Sequence, residues 1–536
     1  RDVAVTGVQT CALPIYQPGS FGYEAKHIEL FNSWGVDMLK YDYCNNQAST
    51  KVSYSQMGDA IAALNAKRKA NGEVPFVFNI CEWGKTQPWT WGAEVGGSSW
   101  RATSDAREDW IGNNSRPGVI AGVDEVRRLW MYAGVNRFND LDMMCIGLHG
   151  LGGPSNNTAS HQVNGGKIQG LNDAQARSQM SLWCMFASPL SLTCDLREKP
   201  QGEANSGQTM PTPLITTEDI KTLTNKEIIA INQDALGQQA EYMESLSTGK
   251  TNYSQTGYDV YVKDLVGGRI AVSVTNRGGS AVDVPELALT DLYLKANTQY
   301  VCHEIWSNTN NTIENKLTVG KLGAYETKVY VLSQEQKFKI TKAGYATYYT
   351  SNAYAMPKGV TGYIVTGTKD NNLVAKAYYP EETIVPANTA LVLKGAEGEY
   401  SYIPTLSLQS AVADNKLYGS DVESVTYVAG TNVKYYKFSY NQSGENLGFY
   451  WANEIGAAFT NGAHKAYLAL DFSTAQSQLR GFSMSDLFGG ITSINDIVKA
   501  NDGSQRIYDL NGRSISSLDG LSKGVYIVNG KKTIIK

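Results

Sequence analysis

Segments with the character of short buried strands alternate with segments of helical periodicity from Gly19 to about Leu236. The strand-like segments are continuous apolar runs, which are typical of parallel sheets covered on both faces. One helical segment follows a capping box of Ser53 and Gln56 and closes at Gly72. Repeated strand, loop and helix units predict a parallel α/β fold with active-site groups on the loops that follow the strands; about five strands are visible, where a closed (β/α)8 barrel has eight.

The hydrophobic period changes to two after Gly237, which indicates antiparallel strands. Alternating segments such as Ile270–Val274 and Lys328–Leu332 are separated by Gly, Asn and Ser turns and predict an antiparallel β-sandwich. Further β-rich sequence follows, and the last segment carries Asn-Gly turns. The sequence therefore predicts a leader that matches no later pattern at 1–15, a partial barrel at 16–240, a β-sandwich at 241–335, a β-rich accessory domain at 336–490 and a β module at 491–536.

The composition argues against several classes of function. The 536 residues carry a net charge of −4, which lacks the basic excess that nucleic acids require. The 7 cysteines form no CxxC pair and the 5 histidines are scattered, so a zinc site is not expected. No apolar run reaches the length of a membrane helix. With 42% hydrophobic and 18% charged residues, the chain has the composition of an ordinary folded protein.

Acidic residues recur at the ends of successive predicted strands, at Asp42, Glu82, Asp105, Asp140 and Asp142. The carboxyl ends of parallel strands meet at one face of such a fold, so we expect these side chains to lie near one another. Two carboxylates that flank one bond are what glycoside hydrolysis needs. A single loop aspartate is more often a helix cap or a solvent-facing residue. The recurrence favours a shared site, as do the cationic and aromatic neighbours Lys40, Trp83, Trp100 and Arg101.

Five motifs resemble, in order, those of the α-galactosidases of glycoside hydrolase family 27. They are Leu39–Asn46, Ile80–Gly84, Ser99–Asp105, Phe138–Met143 and Leu223–Gly237. The resemblance implies a (β/α) barrel followed by a β-sandwich. It also implies an enzyme that releases terminal α-linked galactose from oligo- or polysaccharides with retention of configuration, and that needs no metal or cofactor.

The resemblance also implies roles for individual residues. Asp42 matches the nucleophile and Asp105 the acid/base, and substrate binding is implied for Lys40, Glu82, Arg101 and Asp142. Lys40 precedes Asp42 by two residues, so both point to the same side of the strand and the cation favours the ionised carboxylate of a nucleophile. Asp105 must instead hold a proton for the departing oxygen. Retention predicts that the two carboxyl groups lie about 5 to 5.5 Å apart.

Glu82 and Trp83 bear on the choice of sugar. A glutamate can accept a hydrogen bond from a sugar 2-hydroxyl but would crowd an acetamido group, and relatives that cleave N-acetylgalactosamine carry small residues there. The resemblance thus favours galactose. The alternative is that Glu82 only pairs with Arg101. Within the family, β-L-arabinopyranosidase, N-acetylgalactosaminidase and α-glucan-cleaving activities stay open.

The sequence departs from the family pattern at its start. The family's first strands supply a tryptophan and a pair of aspartates that have no counterpart before Tyr16, so we expect a barrel that lacks its first strands. Residues 1–15 resemble a translated sequencing-adapter read and are expected to be a non-native leader, so Cys11 is not paired with Cys44. We expect Cys44 to be an unpaired thiol, and three other cysteines to be buried rather than bridged, namely Cys81, Cys184 and Cys194.

These departures leave a second hypothesis open. An unclosed sheet exposes an unpaired edge and an open core, so the chain is alternatively a catalytically inactive fragment that binds or displays carbohydrate.

The last forty or so residues resemble the sorting domains of the type IX secretion pathway, through Ile507–Arg513 and Lys523–Val528. That resemblance implies contact with a secretion machinery and a place outside a Gram-negative cell, either secreted or on its surface. The alternative is a plain β terminus.

Overall fold

The structure of the chain is a computed structural model. It describes residues 20–43, 49–113, 116–149, 170–194, 196, 215–369, 372–472 and 479–484 and, elsewhere, the backbone of strands at 7–9, 162–163, 167–168, 507–508, 514–515, 524–528 and 531–535. The chain divides into two compact units, one of Arg1–Gln336 with Ile403–Leu408 and one of Lys337–Tyr402 with Gln409–Lys536. No helix in the described ranges combines the length and the apolar character that crossing a membrane requires.

A parallel sheet forms the first part of the first unit. Its five described strands are hydrogen-bonded in chain order, Gly7–Gln9, Met38–Asp42, Val77–Cys81, Ser99–Arg101 and Phe138–Asp140. The helices of this part are Glu24–Ser33, Thr50–Ala70, Val119–Val126, Asp173–Met185, Thr217–Leu223 and Lys226–Asn232, with short hairpins of Gly112–Asn113 with Arg116–Pro117 and of Gln162–Val163 with Lys167–Ile168. This succession of parallel strands and helices is the predicted barrel-type α/β arrangement.

One local expectation differs from the structure. The first long helix begins at Thr50 after Ser49, so the predicted start at Ser53 is wrong. Ser53 is buried there, and the Tyr54 hydroxyl donates to the Tyr41 carbonyl at 3.0 Å, so packing against the strand keeps this turn helical. Residues 7–9, which fall within the predicted leader, pair in parallel with Met38–Lys40. A strand edge that would otherwise be open to solvent is covered in this way.

An antiparallel β-sandwich completes the first unit, as predicted. Its main sheet has six strands in the order Glu241–Tyr242, Tyr258–Leu265, Arg269–Asn276, Thr327–Ser333, Tyr300–Glu304 and Thr309–Ile313. Two further pairs are Val282–Val284 with Gly320–Leu322 and Leu287–Ala288 with Lys316–Leu317. The Arg269–Asn276 strand is buried along its whole length, because it lies in the middle of the sheet with the Asp173–Met185 helix packed near it.

The second unit is rich in short antiparallel strands. The strands of its first part are Gln336–Ile340, Tyr345–Tyr348, Ala353–Ala355, Thr361–Lys369, Asn372–Tyr379, Ile384–Val385, Leu391–Lys394 and Gly398–Tyr402. Those of its second part are Leu417–Gly419, Ser424–Val425, Val433–Tyr440, Leu447–Trp451, Thr460–Asn461, Ala466–Asp471 and Gly481–Ser483. The final sheet is formed by the backbones of Ser514–Ile515, Ile507–Tyr508, Gly524–Val528 and Lys531–Ile535, in that order.

Candidate active site

The register of the parallel sheet places the predicted functional residues at one edge. Asp42 lies level with Cys81, which Glu82 follows directly. Arg101 lies level with Asp140 on the next pair of strands. Because all these strands run in the same direction, their last residues meet at the same end of the sheet. We call this group the strand-end cluster; it contains Lys40, Asp42, Glu82, Arg101, Asp105, Asp140 and Asp142.

Ion pairs link four members of the strand-end cluster. Asp142 Oδ1 lies 2.9 Å from Arg101 Nη1 and 3.6 Å from Lys40 Nζ. Arg101 Nη2 reaches Asp105 Oδ1 at 3.3 Å. The Arg101 and Asp142 side chains are only 2% and 4% exposed, whereas that of Asp105 is 58% exposed. A buried arginine therefore holds a carboxyl group that solvent and a ligand can reach.

Asp142 also fixes the loop that carries Asp105. Its backbone has a φ of +76°, a conformation that is costly for a residue with a side chain. Surrounding bonds hold it there, because its amide donates to Asp140 Oδ1 at 2.8 Å and its carbonyl accepts from Trp183 Nε1 at 2.8 Å. Its own Oδ2 accepts the amide of Ala106 at 2.9 Å. The residue next to Asp105 is thereby tied to the end of a neighbouring strand.

Asp42 shares its surroundings with the two cations. Burial raises the pKa of the Cys81 thiol to about 12; the nearby Arg101 and Lys40 oppose that rise, and the Asp42 carboxylate adds to it. Burial also raises the pKa of Tyr54 above its usual range, and Cys81, Asp42 and Glu82 act in the same direction. Asp42 and Glu82 therefore both lie close enough to act on the buried Tyr54. The separation of Asp42 and Asp105 stays a prediction.

Glu82 is 1% exposed and is held by Thr86, not by Arg101. Its Oε2 accepts the Thr86 amide at 2.8 Å and the Thr86 hydroxyl at 2.9 Å. The alternative in which Glu82 pairs with Arg101 is therefore wrong, because Arg101 is occupied by two aspartates. Burial raises the pKa of Glu82, and the Thr86 bonds oppose that rise. Its Oε1 is buried and has no hydrogen-bond partner among the described residues.

Trp83 follows Glu82 in a strained turn. Its φ is +60° and that of Gly84 is +75°, and a Cβ at Gly84 would lie 2.4 Å from the Ala102 carbonyl oxygen. The turn therefore requires glycine at this position. The Lys85 ammonium lies 4.4 Å from the centre of a Trp83 ring, within the range of a cation–π contact.

Sequence reasoning missed two supporting residues. Asn79 is buried and donates to Asp140 Oδ2 at 3.0 Å and to Ser99 Oγ at 2.7 Å, so it joins three strands. The signal for it was an amide inside an otherwise apolar run. Thr86 lies four residues after Glu82, and such local bonds to a backbone amide are common in turns.

The cysteines and the possible metal ligands are the remaining predicted groups. Cys81 and Cys184 are free and buried, as predicted, whereas Cys194 is only half-buried. Cys44 lies outside the described residues. Over the described part of the chain, no three His, Cys, Asp or Glu side chains are grouped as metal ligands.

Two family models match the chain. The model for Alpha galactosidase A matches residues 3–234, and the model for the Alpha galactosidase C-terminal beta sandwich domain matches residues 255–332. The first match covers the parallel sheet and its helices and starts within the predicted leader. The second covers most of the strands of the β-sandwich.

Individual relatives show the same similarity. The chain is 36% identical over 283 residues to Alpha-galactosidase A of Cellvibrio japonicus. The matched region covers 52% of this chain and 56% of the relative. The chain is 30% identical over 328 residues to Alpha-galactosidase of Oryza sativa subsp. japonica, with 61% and 63% covered. With Alpha-galactosidase of Coffea arabica it shares 31% identity over 331 residues, with 61% and 71% covered. The chain thus spans less than two thirds of the length of the first two relatives.

Proposed function

Because the chain belongs to the alpha-galactosidase family of the matched Alpha galactosidase A model, we propose that it releases terminal α-linked galactose from oligo- or polysaccharides. The proposed mechanism is a double displacement with retention at the anomeric carbon. Asp42 is the nucleophile and Asp105 the acid/base. The sugar is bound by Lys40, Glu82, Trp83, Arg101 and Asp142.

The chain of ion pairs from Lys40 through Asp142 and Arg101 to Asp105 is the observation that carries this proposal. It joins the strand of the nucleophile to the loop of the acid/base, and its two central members, Asp142 and Arg101, are buried. Positioned groups of this kind lower a barrier because they need little reorganisation during the reaction. The partly exposed Asp105 is suited to exchange a proton with a leaving oxygen and then with water.

The proposed reaction has two chemical steps. In the first, the Asp42 carboxylate forms a bond to the anomeric carbon while the glycosidic bond breaks, and Asp105 transfers its proton to the leaving oxygen. In the second, Asp105 takes a proton from water, whose oxygen displaces Asp42. Each step inverts the anomeric carbon, so the product retains the starting configuration. In the proposed complex a sugar hydroxyl donates to Glu82 Oε1, which is buried and has no hydrogen-bond partner among the described residues.

The test is turnover of an aryl α-galactoside by the full chain and by its variants. Asp42→Ala and Asp105→Ala are each expected to lower turnover by at least about 1,000-fold, because each removes a group that forms or breaks a bond. Proton NMR of the first released sugar should show the α anomer. Parental turnover in either variant, or a β product, would overturn the assignment.

One observation favours the second hypothesis, an inactive carbohydrate-binding fragment. The parallel sheet has five strands over the described residues, fewer than the eight of a closed barrel. Absence of turnover by the full chain, combined with binding to a polysaccharide that carries galactose, would support that hypothesis instead.

We also propose that residues 491–536 direct the protein outside a Gram-negative cell through a type IX secretion machinery. Four short antiparallel strands in this region, with Gly524–Val528 paired on both sides, support a compact module of its own. A reporter fused to these residues should reach the medium or the cell surface of a bacterium that has this pathway. Retention of the reporter inside the cell would contradict the proposal.

A further inference from the structure

A cavity of about 230 Å³ lies where the first part of the chain meets the β-sandwich. One wall is the short helix Trp130–Tyr132, and the others are Gln238 with Glu241, Asp264 and Tyr293. None of these residues belongs to the strand-end cluster. The proposed catalytic groups therefore leave this cavity unexplained.

Large apolar side chains surround the cavity and face solvent. Met131 is 63%, Tyr293 60% and Trp130 37% exposed. Contiguous exposed apolar surface on a folded domain marks a place of contact with a ligand or a partner. Tyr293 also has a φ of +63°, which is rare for an aromatic residue. Strain of this kind is concentrated at functional positions.

Hydrogen-bonding groups lie beside the rings of Trp130 and Tyr293. The Tyr293 hydroxyl donates to Glu241 Oε2 at 3.1 Å. Partial burial raises the pKa of Tyr293, and Glu241 and Asp264 add to that rise, so both carboxylates lie near the ring. Among the described residues, Asp264, Gln238 and the Trp130 indole nitrogen have no side-chain hydrogen bond. The cavity thus presents unused acceptors and donors next to flat apolar faces.

We propose that this cavity binds one sugar ring of a galactose-bearing polysaccharide, separately from the catalytic site. A pyranose ring has an apolar face that can lie against an aromatic side chain and hydroxyls that can donate to carboxylates, and sites of this composition are typical of small-molecule pockets. The two carboxylates disfavour an anionic ligand. The choice of galactose rests on the proposed function, whereas the choice of a sugar rests on the cavity.

The test is retardation in a native gel that contains a soluble polysaccharide with α-linked galactose. The full chain carrying Asp42→Ala is used, so that the polymer stays intact. Trp130→Ala and Tyr293→Asn in that background remove one ring each, and asparagine tolerates the positive φ of position 293. The matched controls are Trp34→Ala and Tyr253→Asn, which remove an exposed tryptophan and an exposed tyrosine at φ +62° from other places.

Retardation of the parent is expected, with a loss of at least 10-fold in apparent affinity for Trp130→Ala and Tyr293→Asn and parental behaviour for both controls. Circular dichroism checks that all variants are folded. The proposal is overturned if the parent is not retarded, if both cavity variants are retarded as the parent is, or if a soluble polyamine abolishes retardation while free galactose does not. Since the readout is binding, a chain without hydrolytic activity still gives a result, and turnover alone decides the proposed function.

Discussion

Two groups of buried charges in the first unit are built in different ways. The domain-junction quartet, Asp124, Arg127, Asp259 and Arg277, joins the Val119–Val126 helix to the β-sandwich. Arg277 binds Asp124 at 2.7 Å and Asp259 at 2.5 Å, and Arg127 lies 3.2 Å from Asp124. All four side chains are at most 1% exposed. Two cations face two carboxylates, so the quartet is balanced and closed to water.

The strand-end cluster is neither balanced nor closed. Two cations, Lys40 and Arg101, share their surroundings with five acidic side chains, and Asp105 extends to solvent. An excess of carboxyl groups over cations lowers the stability of a folded state, and active sites commonly retain such an excess for chemistry. The comparison indicates that the quartet serves stability and the strand-end cluster serves function. Four predictions test this division, in descending order of effect.

The largest effect is expected for Arg277→Met in the quartet. The substitution leaves Asp124 and Asp259 buried with one arginine between them, which should lower the free energy of unfolding by about 3 to 5 kcal/mol. Urea denaturation followed by tryptophan fluorescence measures it. The matched control is Arg128→Met, which removes a neighbouring arginine from an exposed pair with Glu244 and should cost less than about 1 kcal/mol. Equal losses in the two variants would contradict the structural role of the quartet.

The difference between the two groups also marks the limit of what the sequence predicts. The strand ends were predictable because each strand is a local apolar run that ends in a polar residue, and parallel pairing brings such ends together. Asp42 and Glu82 were found in this way. The need for glycine at position 84 was not, because it comes from the close approach of Ala102, which follows the next strand.

The quartet left no such local signal. Arg277 and Asp124 are separated by 153 residues, and an arginine after one strand gives no sign of an aspartate on a distant helix. The wrong start of the first long helix has a similar cause, since the contact of Tyr54 with Tyr41 that keeps the turn helical is tertiary. Contacts made across the fold override the local capping preference.

A second prediction concerns Lys263, another buried cation at the junction. Its ammonium donates to the carbonyls of Cys184 and Ile231 at 3.2 and 2.8 Å, near the ends of two helices. Burial lowers its pKa to about 8. Between pH 8 and about 10.5 the folded state binds fewer protons than the unfolded state, so the free energy of unfolding should rise with pH, by up to about 3 kcal/mol.

Denaturation at several pH values in this window, for the parent and for Lys263→Met, measures this contribution. The variant should lack the part of the rise that Lys263 causes, so the difference between the two proteins changes with pH. If the free energies of unfolding of the two proteins change with pH in parallel, the pKa of the Lys263 ammonium is not lowered. This junction residue then does not differ from a surface lysine.

The third prediction concerns Glu82→Gln in the strand-end cluster. The variant keeps an oxygen for the bonds from Thr86 but loses a charged acceptor for a sugar hydroxyl, so kcat/KM on an aryl α-galactoside should fall about 10- to 100-fold. Burial raises the folded-state pKa of Glu82, so the parent loses stability as pH rises through that value, and the variant does not. At neutral pH the variant should therefore be at least as stable as the parent.

A matched control for this variant is Glu94→Gln, which removes an exposed glutamate paired with Lys51. It should change neither kcat/KM nor stability measurably. A Glu82→Gln variant that is much less stable at neutral pH and fully active would place Glu82 with the structural charges and break the comparison.

The smallest effect is expected at His303, which joins the β-sandwich to the Lys226–Asn232 helix. Its Nε2 lies 3.1 Å from Glu227 Oε2, and the hydrogen bond to that carboxylate raises the pKa of the imidazole. The stabilisation is fully present below the unfolded-state pKa of about 6.5 and is lost as pH rises through the higher folded-state value. Because the pair is partly exposed, this stabilisation should be below about 1 kcal/mol.

The measurement is the free energy of unfolding at pH 5.5 and pH 9, for the parent, for His303→Gln and for the control His27→Gln, whose imidazole contacts the Ser20 hydroxyl. Only His303→Gln should reduce the excess stability of the parent at the lower pH. A much larger reduction would mean that the junction depends on a titratable pair as well as on the quartet, and stability at this junction would then follow pH near neutrality. If His303→Gln and the parent respond to pH alike, the quartet and Lys263 are the charged contacts that determine stability at this junction.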